Sequence, residues 1–315
     1  MDRRGLNVRK LLLGTILPIL RKLPPRLASN MIAGIGKTEY AVLRGLRFRV
    51  DEAVRRGGHY FGREWNVRQV GRELAGNQIR WRTRDQLLDG LPSDKVAPLF
   101  EVTGRDRLDA VLAEKRGVVL LCNHFGSHMM PAHWLLREGY TLRLFMERPR
   151  HISRFLASQF DTDGPTGQKK LFISRKASPA EAAGSILRAT RVLNAGMVLM
   201  IAGDVRWTGA GTSVATFLGQ RYAFSNTWGK LAAITGAPIV PVFCRFDAGG
   251  MYHLEFQQAY TVPRGNPEPE ELASWVQAFL KRVEDQVERF PANSNEYFFW
   301  AENAEDGANA SASVA

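Results

Sequence analysis

At 315 residues with 45% hydrophobic content, the chain can bury a substantial core, as one large domain or one domain with an extension, and disorder is excluded for most of it. Its 43 Lys and Arg against 31 Asp and Glu give a formal charge of +12, which favours an anionic partner: membrane lipid, nucleic acid or an acidic carrier protein. The two cysteines, Cys122 and Cys244, lie inside apolar runs and predict buried reduced thiols rather than a disulfide or a metal site.

The most apolar early segment, Leu11 to Leu20, is interrupted by Pro18 and followed by Arg21, Lys22, Pro24 and Pro25, so it is not a comfortable membrane span. Arg3, Arg4, Arg9 and Lys10 precede it as in a signal peptide, but no small-residue cleavage site follows. Two readings stay open, an interfacial amphipathic helix and an ordinary helix packed on the domain, because both produce an apolar stripe with basic flanks. From Asn7 to about Leu88 the pattern is helical, with Arg44, Arg47, Arg49, Arg55 and Arg56 interleaved, and residues 1–100 are read as a helical N-terminal extension. Within it, Gly34-Ile35-Gly36-Lys37-Thr38 imitates the end of a phosphate-binding loop. Met31 stands where that loop needs glycine, and no buried strand precedes it.

From Val102 the texture changes to short apolar runs alternating with helices, the signature of a mainly parallel sheet flanked by helices. The expected strands are Val118–Cys122, Leu142–Met146, Leu171–Ile173, Val198–Ile201 and Ile239–Phe243, with a further one within Met251–Thr261. The expected helices are Arg105–Glu114, Ala180–Asn194, Thr227–Ile234 and Glu268–Arg289, the first three ending at stop signals such as Asn194-Ala195-Gly196. Residues 101–300 are thus read as an α/β domain, and 301–315 as a disordered tail too polar to offset its ordering entropy.

Chemistry gathers where strands end. Gly117 to Cys122 runs into Asn123-His124-Phe125-Gly126-Ser127, which sets a histidine at a strand exit, where α/β folds present ligands and catalytic bases. Gly126 and Ser127 supply the turn and a hydroxyl to cap the helix that follows. His124, His128 and His133 suggest a metal by spacing, but no carboxylate completes a ligand set, and none is assigned. Ser127 lacks the glycines of a nucleophile elbow, and nothing resembles a zinc knuckle or an aromatic RNA-binding strand, so specific nucleic-acid recognition is not expected. Further polar residues recur at later strand ends: Met146-Glu147-Arg148-Pro149, then Gly203-Asp204. Thr216-Phe217-Leu218-Gly219 follows, and the segment closes with Thr235-Gly236-Ala237-Pro238-Ile239-Val240-Pro241-Val242-Phe243.

In this ordered set, over roughly Val102 to Trp300, the chain resembles the bacterial lysophospholipid acyltransferase superfamily, in the branch of lipid A late acyltransferases and phosphatidylinositol mannoside acyltransferases. The resemblance implies a glycerolipid acyltransferase-like α/β fold and transfer of a fatty acyl group from acyl carrier protein or coenzyme A to a hydroxyl of a membrane lipid or glycolipid. The acyl thioester would be a co-substrate, with no bound cofactor. The setting implied is the anionic surface of the inner membrane, peripherally, on its cytoplasmic side. His124 takes the place of the family's catalytic histidine, with Asn123, Arg148 and Asp204 as substrate-binding candidates. The family's carboxylate, five positions after the histidine, is replaced here by Met129. A thioether cannot fix an imidazole tautomer, so Glu147, Asp204 and His128 become candidate substitute partners. The alternative is an acyl- or lipid-binding relative that has lost the pair.

Overall fold

The helical N-terminal texture resolves into three long helices, α1 (Pro25–Val42), α2 (Arg44–Phe61) and α3 (Val67–Leu87), with single helical turns at Leu17–Leu20 and Ser93–Val96. The structure, a computed structural model, describes residues 17–88, 90–147, 171–173, 178–208 and 211–301. The expectations made for residues 1–16, for Arg148 and Pro149 and for the tail beyond residue 301 lie outside the described residues. Pro25 opens α1, where its missing N–H would have had no helical partner. The run from Gly34 to Thr38 is the interior of α1, not a phosphate loop. A Cβ at Gly36 would sit 2.3 Å from the Ala75 carbonyl oxygen, so the glycine serves the close crossing of α1 and α3.

After these come β1 (Phe100–Thr103), α4 (Arg105–Ala113), β2 (Val118–Cys122), α5 (Met130–Arg137), β3 (Leu142–Glu147) and β4 (Leu171–Ile173). Then follow α6 (Pro179–Asn194), β5 (Val198–Ala202), β6 (Thr212–Phe217), β7 (Gln220–Ser225), α7 (Thr227–Thr235), β8 (Ile239–Phe246), β9 (Tyr252–Phe256) and α8 (Pro269–Arg289). Seven strands form one sheet in the order β1-β9-β8-β2-β5-β3-β4. From β8 to β4 every pairing is parallel, while β9 runs antiparallel to β8 and β1 runs parallel to β9, so a reversed pair closes one edge. The expected α/β class, with a mainly parallel sheet and a helical N-terminal region, is therefore what the chain adopts. β1 has too few residues to announce a period, and β6 with β7 is a separate hairpin whose alternation is diluted by Thr, Ser, Gln and Arg.

The sheet is covered on both faces, and its strands sort their side chains by parity. Val119, Leu121, Leu199 and Ile201 enter one core with Tyr40 of α1, Val54 of α2, Leu74 of α3 and the inner face of α8. Val118, Leu120, Val198 and Met200 enter the other, with Leu108 of α4 and Leu135 of α5. The N-terminal helices thus share the core on which the central strands rest. On α8, Leu272, Val276, Phe279, Leu280, Val283 and Val287 recur at helical spacing and are all buried. Phe279 is fully buried against Trp228, at 6.1 Å between ring centroids, and its ring occupies the space a Cβ on Gly203 would need. Phe279→Ala is expected to cost about 3–5 kcal/mol of unfolding free energy in urea titration.

Candidate active site

β2 is buried at all five positions, and the chain leaves it at Cys122 to form a turn whose backbone N–H groups from His124 to Ser127 are all bonded. The backbone N–H of His124 donates to Asp204 Oδ2 at 2.9 Å, and that of Phe125 donates to Asn123 Oδ1 at 3.0 Å. Gly126 N–H donates to the Asn293 carbonyl at 2.8 Å, and Ser127 N–H to the Cys244 carbonyl at 2.6 Å. Gly126 has φ +56°, and a Cβ there would lie 2.1 Å from Cys244 O, so no other residue fits. Ser127 does not cap the following helix as expected: α5 begins at Met130, with Met129 at the capping position and no side-chain cap bond.

The imidazole of His124, 39% exposed, meets a fully buried carboxylate. His124 Nδ1 lies 3.0 Å from Asp204 Oδ1, while Tyr297 donates its hydroxyl to Asp204 Oδ2 at 2.6 Å. Because a carboxylate only accepts, His124 Nδ1 carries the proton and Nε2 presents its lone pair. Burial by itself would raise the Asp204 carboxyl. The His124 charge, its ring N–H, the Tyr297 hydroxyl and the His124 backbone N–H outweigh burial and hold the carboxyl below the usual aspartate range. Burial, reinforced by the Asp204 charge and the bond to it, pushes the Tyr297 hydroxyl well above its ordinary value, so Tyr297 is a donor at physiological pH.

The adjacency of His124 and Asp204 follows from strand register. β2 and β5 are parallel neighbours with Cys122 opposite Ala202, and His124 and Asp204 each lie two residues beyond that pair. The C-terminal segment then locks the turn. Asn295 Nδ2 donates to the carbonyls of His124 and Gly126, both at 2.7 Å, while Asn293 Oδ1 accepts from Phe246 N–H at 2.8 Å. Phe217, at the end of β6, packs edge-on against Tyr297 at 5.1 Å. The Leu218-Gly219 pair after it turns the hairpin with φ of +50° and +77°.

The sequence candidates therefore divide. Asp204, read as a substrate ligand, is instead committed to His124 and Tyr297, and is the substitute partner at Nδ1. Asn123, also read as a substrate ligand, is buried with Nδ2 donating to Val242 O at 3.2 Å and Oδ1 accepting from Phe125, so its amide shapes the turn. His128, proposed as a partner of His124, turns its Nδ1 to the Trp81 indole N–H at 3.1 Å, and its ring lies 4.8 Å from that of His124. Glu147 is exposed at the end of β3, on the rim of the same cavity. Met129 is buried in the core beneath the sheet and forms part of the cavity wall. Trp81, Asn295 and Tyr297 were not anticipated. They come from α3 and from a C-terminal run of irregular turns, and their one signal is polar residues set among the aromatics of Tyr297 to Trp300.

These groups open onto a cavity of about 1150 Å³, walled by Leu144, Met146, Ile186, Met200 and Ile201 and carrying His124, His128 and Arg206 on its polar side. The Arg206 guanidinium stacks on Trp300 at 4.5 Å and on Tyr222 at 5.5 Å. Among the described residues no cluster of three His, Cys, Asp or Glu side chains could hold a metal. The arrangement sets an imidazole, oriented by a buried carboxylate, beside a mostly apolar chamber, which is what a general base for an apolar substrate requires.

Comparison with known proteins agrees in kind. The model of the bacterial lipid A biosynthesis acyltransferase family matches residues 10–302. The chain is also 29% identical over 196 residues to phosphatidylinositol mannoside acyltransferases from two strains of Mycobacterium tuberculosis, a match covering 61% of this chain and 57% of each relative. It thus aligns with little more than half the length of those relatives.

Asp204→Asn is expected to lower turnover by about 10³–10⁴ if His124 is the base, and Tyr297→Phe by about tenfold, with folding retained by circular dichroism. The same comparison carries a pH sign. A depressed carboxylate contributes stability above the ordinary aspartate value, near pH 4, and loses that contribution as pH falls through its lower folded value. The stability gap between wild type and Asp204→Asn, measured in urea, should be full at neutral pH and shrink only in strong acid.

Proposed function

The chain belongs to the bacterial lipid A biosynthesis acyltransferase family, and from this membership and the site geometry we propose that it moves a fatty acyl group from a thioester to a hydroxyl of a lipid or glycolipid. The observation that carries the reading is the 3.0 Å contact of His124 Nδ1 with buried Asp204, beside an apolar chamber. His124 Nε2 removes the acceptor's hydroxyl proton as its oxygen bonds to the thioester carbonyl carbon. The C–S bond then breaks, and the imidazolium returns the proton to the departing thiolate. Asp204 holds the ring and stabilises its transient charge, and the chamber takes the acyl chain. Acyl carrier protein and acyl coenzyme A are both anionic donors suited to a chain of charge +12.

The N-terminal surface supports work at a membrane. Leu27, Met31 and Val42 are 47–69% exposed and share one side of α1, and the stripe continues through Leu43 at the corner and Phe48 on α2. Lys22, Arg26, Arg44 and Arg49 are exposed around it. Apolar side chains ringed by cations suit the boundary between headgroups and acyl chains of an anionic bilayer. No helix among the described residues is long and apolar enough to cross a membrane. The proposed location is peripheral, at the inner membrane's cytoplasmic side, where the thioester donors are made.

Purified protein incubated with labelled acyl thioesters and a panel of lysophospholipids, lipid A precursors and phosphatidylinositol mannosides should transfer label, and His124→Ala should abolish it. No transfer by the wild type across the panel would sink the reading. In flotation with vesicles containing anionic lipid, Val42→Glu with Phe48→Glu should weaken binding by at least about tenfold. Unchanged flotation would remove α1 and α2 from the membrane role.

A further inference from the structure

Two histidine rings line the cavity 4.8 Å apart, and their neighbours give them opposite functions. His124 Nδ1 faces a carboxylate, which only accepts, so its Nε2 is the basic nitrogen. His128 Nδ1 faces the Trp81 indole N–H at 3.1 Å, which only donates. The lone pair of His128 is therefore on Nδ1 and its proton on Nε2. A ring protonated on both nitrogens would set N–H against N–H at that contact.

The acyl-transfer step creates a need for such a donor. As the acceptor oxygen attacks, the thioester carbonyl oxygen gains negative charge, and enzymes commonly meet that charge with backbone N–H groups at the turn after a strand. Here those of His124, Phe125, Gly126 and Ser127 are all spent, on Asp204, Asn123, Asn293 and Cys244 respectively. A side-chain donor beside His124 can take their place. We infer that His128 is a catalytic residue whose Nε2–H stabilises the oxyanion formed beside His124, and that Trp81 is the positioning residue that fixes its tautomer. The inference rests on the acyltransferase reading for its target, but the locked tautomer stands independently of it.

The test has two arms. In the first, ¹⁵N spectra of histidine-labelled protein at neutral pH should show His128 Nδ1 unprotonated and Nε2 protonated, and Trp81→Phe, which keeps an aromatic ring but removes the N–H, should mix the tautomers. A protonated Nδ1 in the wild type overturns the inference whatever the enzyme does. In the second, His128→Ala should lower kcat by about 10² with KM changed less than about threefold, as for loss of one oxyanion donor. His128→Gln, whose amide N–H can stand where Nε2–H was, should recover most of that loss. Equal damage by Ala and Gln, a change confined to KM, or kcat near wild type in both would overturn the donor role. Failure of the wild type to transfer acyl groups would instead defeat the acyltransferase reading and remove the donor's target, leaving the tautomer result intact.

Discussion

Everything at this site depends on keeping one carboxylate ionised without water. Asp204 is 1% exposed, and an unpaired anion there would cost several kcal/mol in desolvation. Three donors prevent this: the His124 backbone N–H, the His124 ring and the Tyr297 hydroxyl. Because two of the three belong to His124, the same bonds that solvate Asp204 also fix the backbone and the ring of the residue it serves. The third brings in the far end of the chain. Tyr297 can reach Asp204 only if its segment is seated, which Asn293 and Asn295 do by bonding to Phe246, His124 and Gly126. Site and fold are thus closed by one network, in which losing any member leaves a buried polar group unsatisfied.

What the sequence disclosed and what it withheld divide along a physical line. Val118–Cys122 was legible to the residue because a strand buried between parallel neighbours must be apolar along its whole length. His124 was legible because its place depends only on the strand before it. The role of Asp204 was not, since it depends on β5 lying next to β2, and strand order is not written in local periodicity. Eighty residues separate the two, and only register makes them neighbours. Asn295 and Tyr297 were harder still: they lie in irregular turns with no period, and their partners are backbone carbonyls and a distant carboxylate. Asn123 misled for the converse reason. An amide beside a strand-end histidine suits a ligand as well as a turn, and its bonds to Val242 and Phe125 are turn bonds.

The N-terminal helices take part in this as well. Trp81 on α3 reaches His128, and Arg80 beside it is 1% exposed, donating to Ser29 O, Asn77 Oδ1 and Asp247 O and to Asn30 Oδ1. A buried guanidinium with this many partners ties α3 rigidly to α1 and to the loop after β8. The same α1 bears the exposed stripe from Leu27 to Val42 on its outer side. One helix layer therefore carries both Trp81 of the cavity wall and the surface proposed to meet lipid.

Position 129 then acquires a reason. With the imidazole's partner supplied from β5, a carboxylate at the start of α5 would have no ring nitrogen left to serve, since His124 Nδ1 is already taken. Placed where Met129 is, in the buried cluster on one face of the sheet, it would be a second buried anion lining the same cavity as Asp204. A thioether there adds apolar wall to the chamber and is flexible enough to pack against a chain of variable shape. Under the acyl-transfer reading, moving the acid across the sheet costs the base nothing and leaves the side beneath His124 free for hydrocarbon.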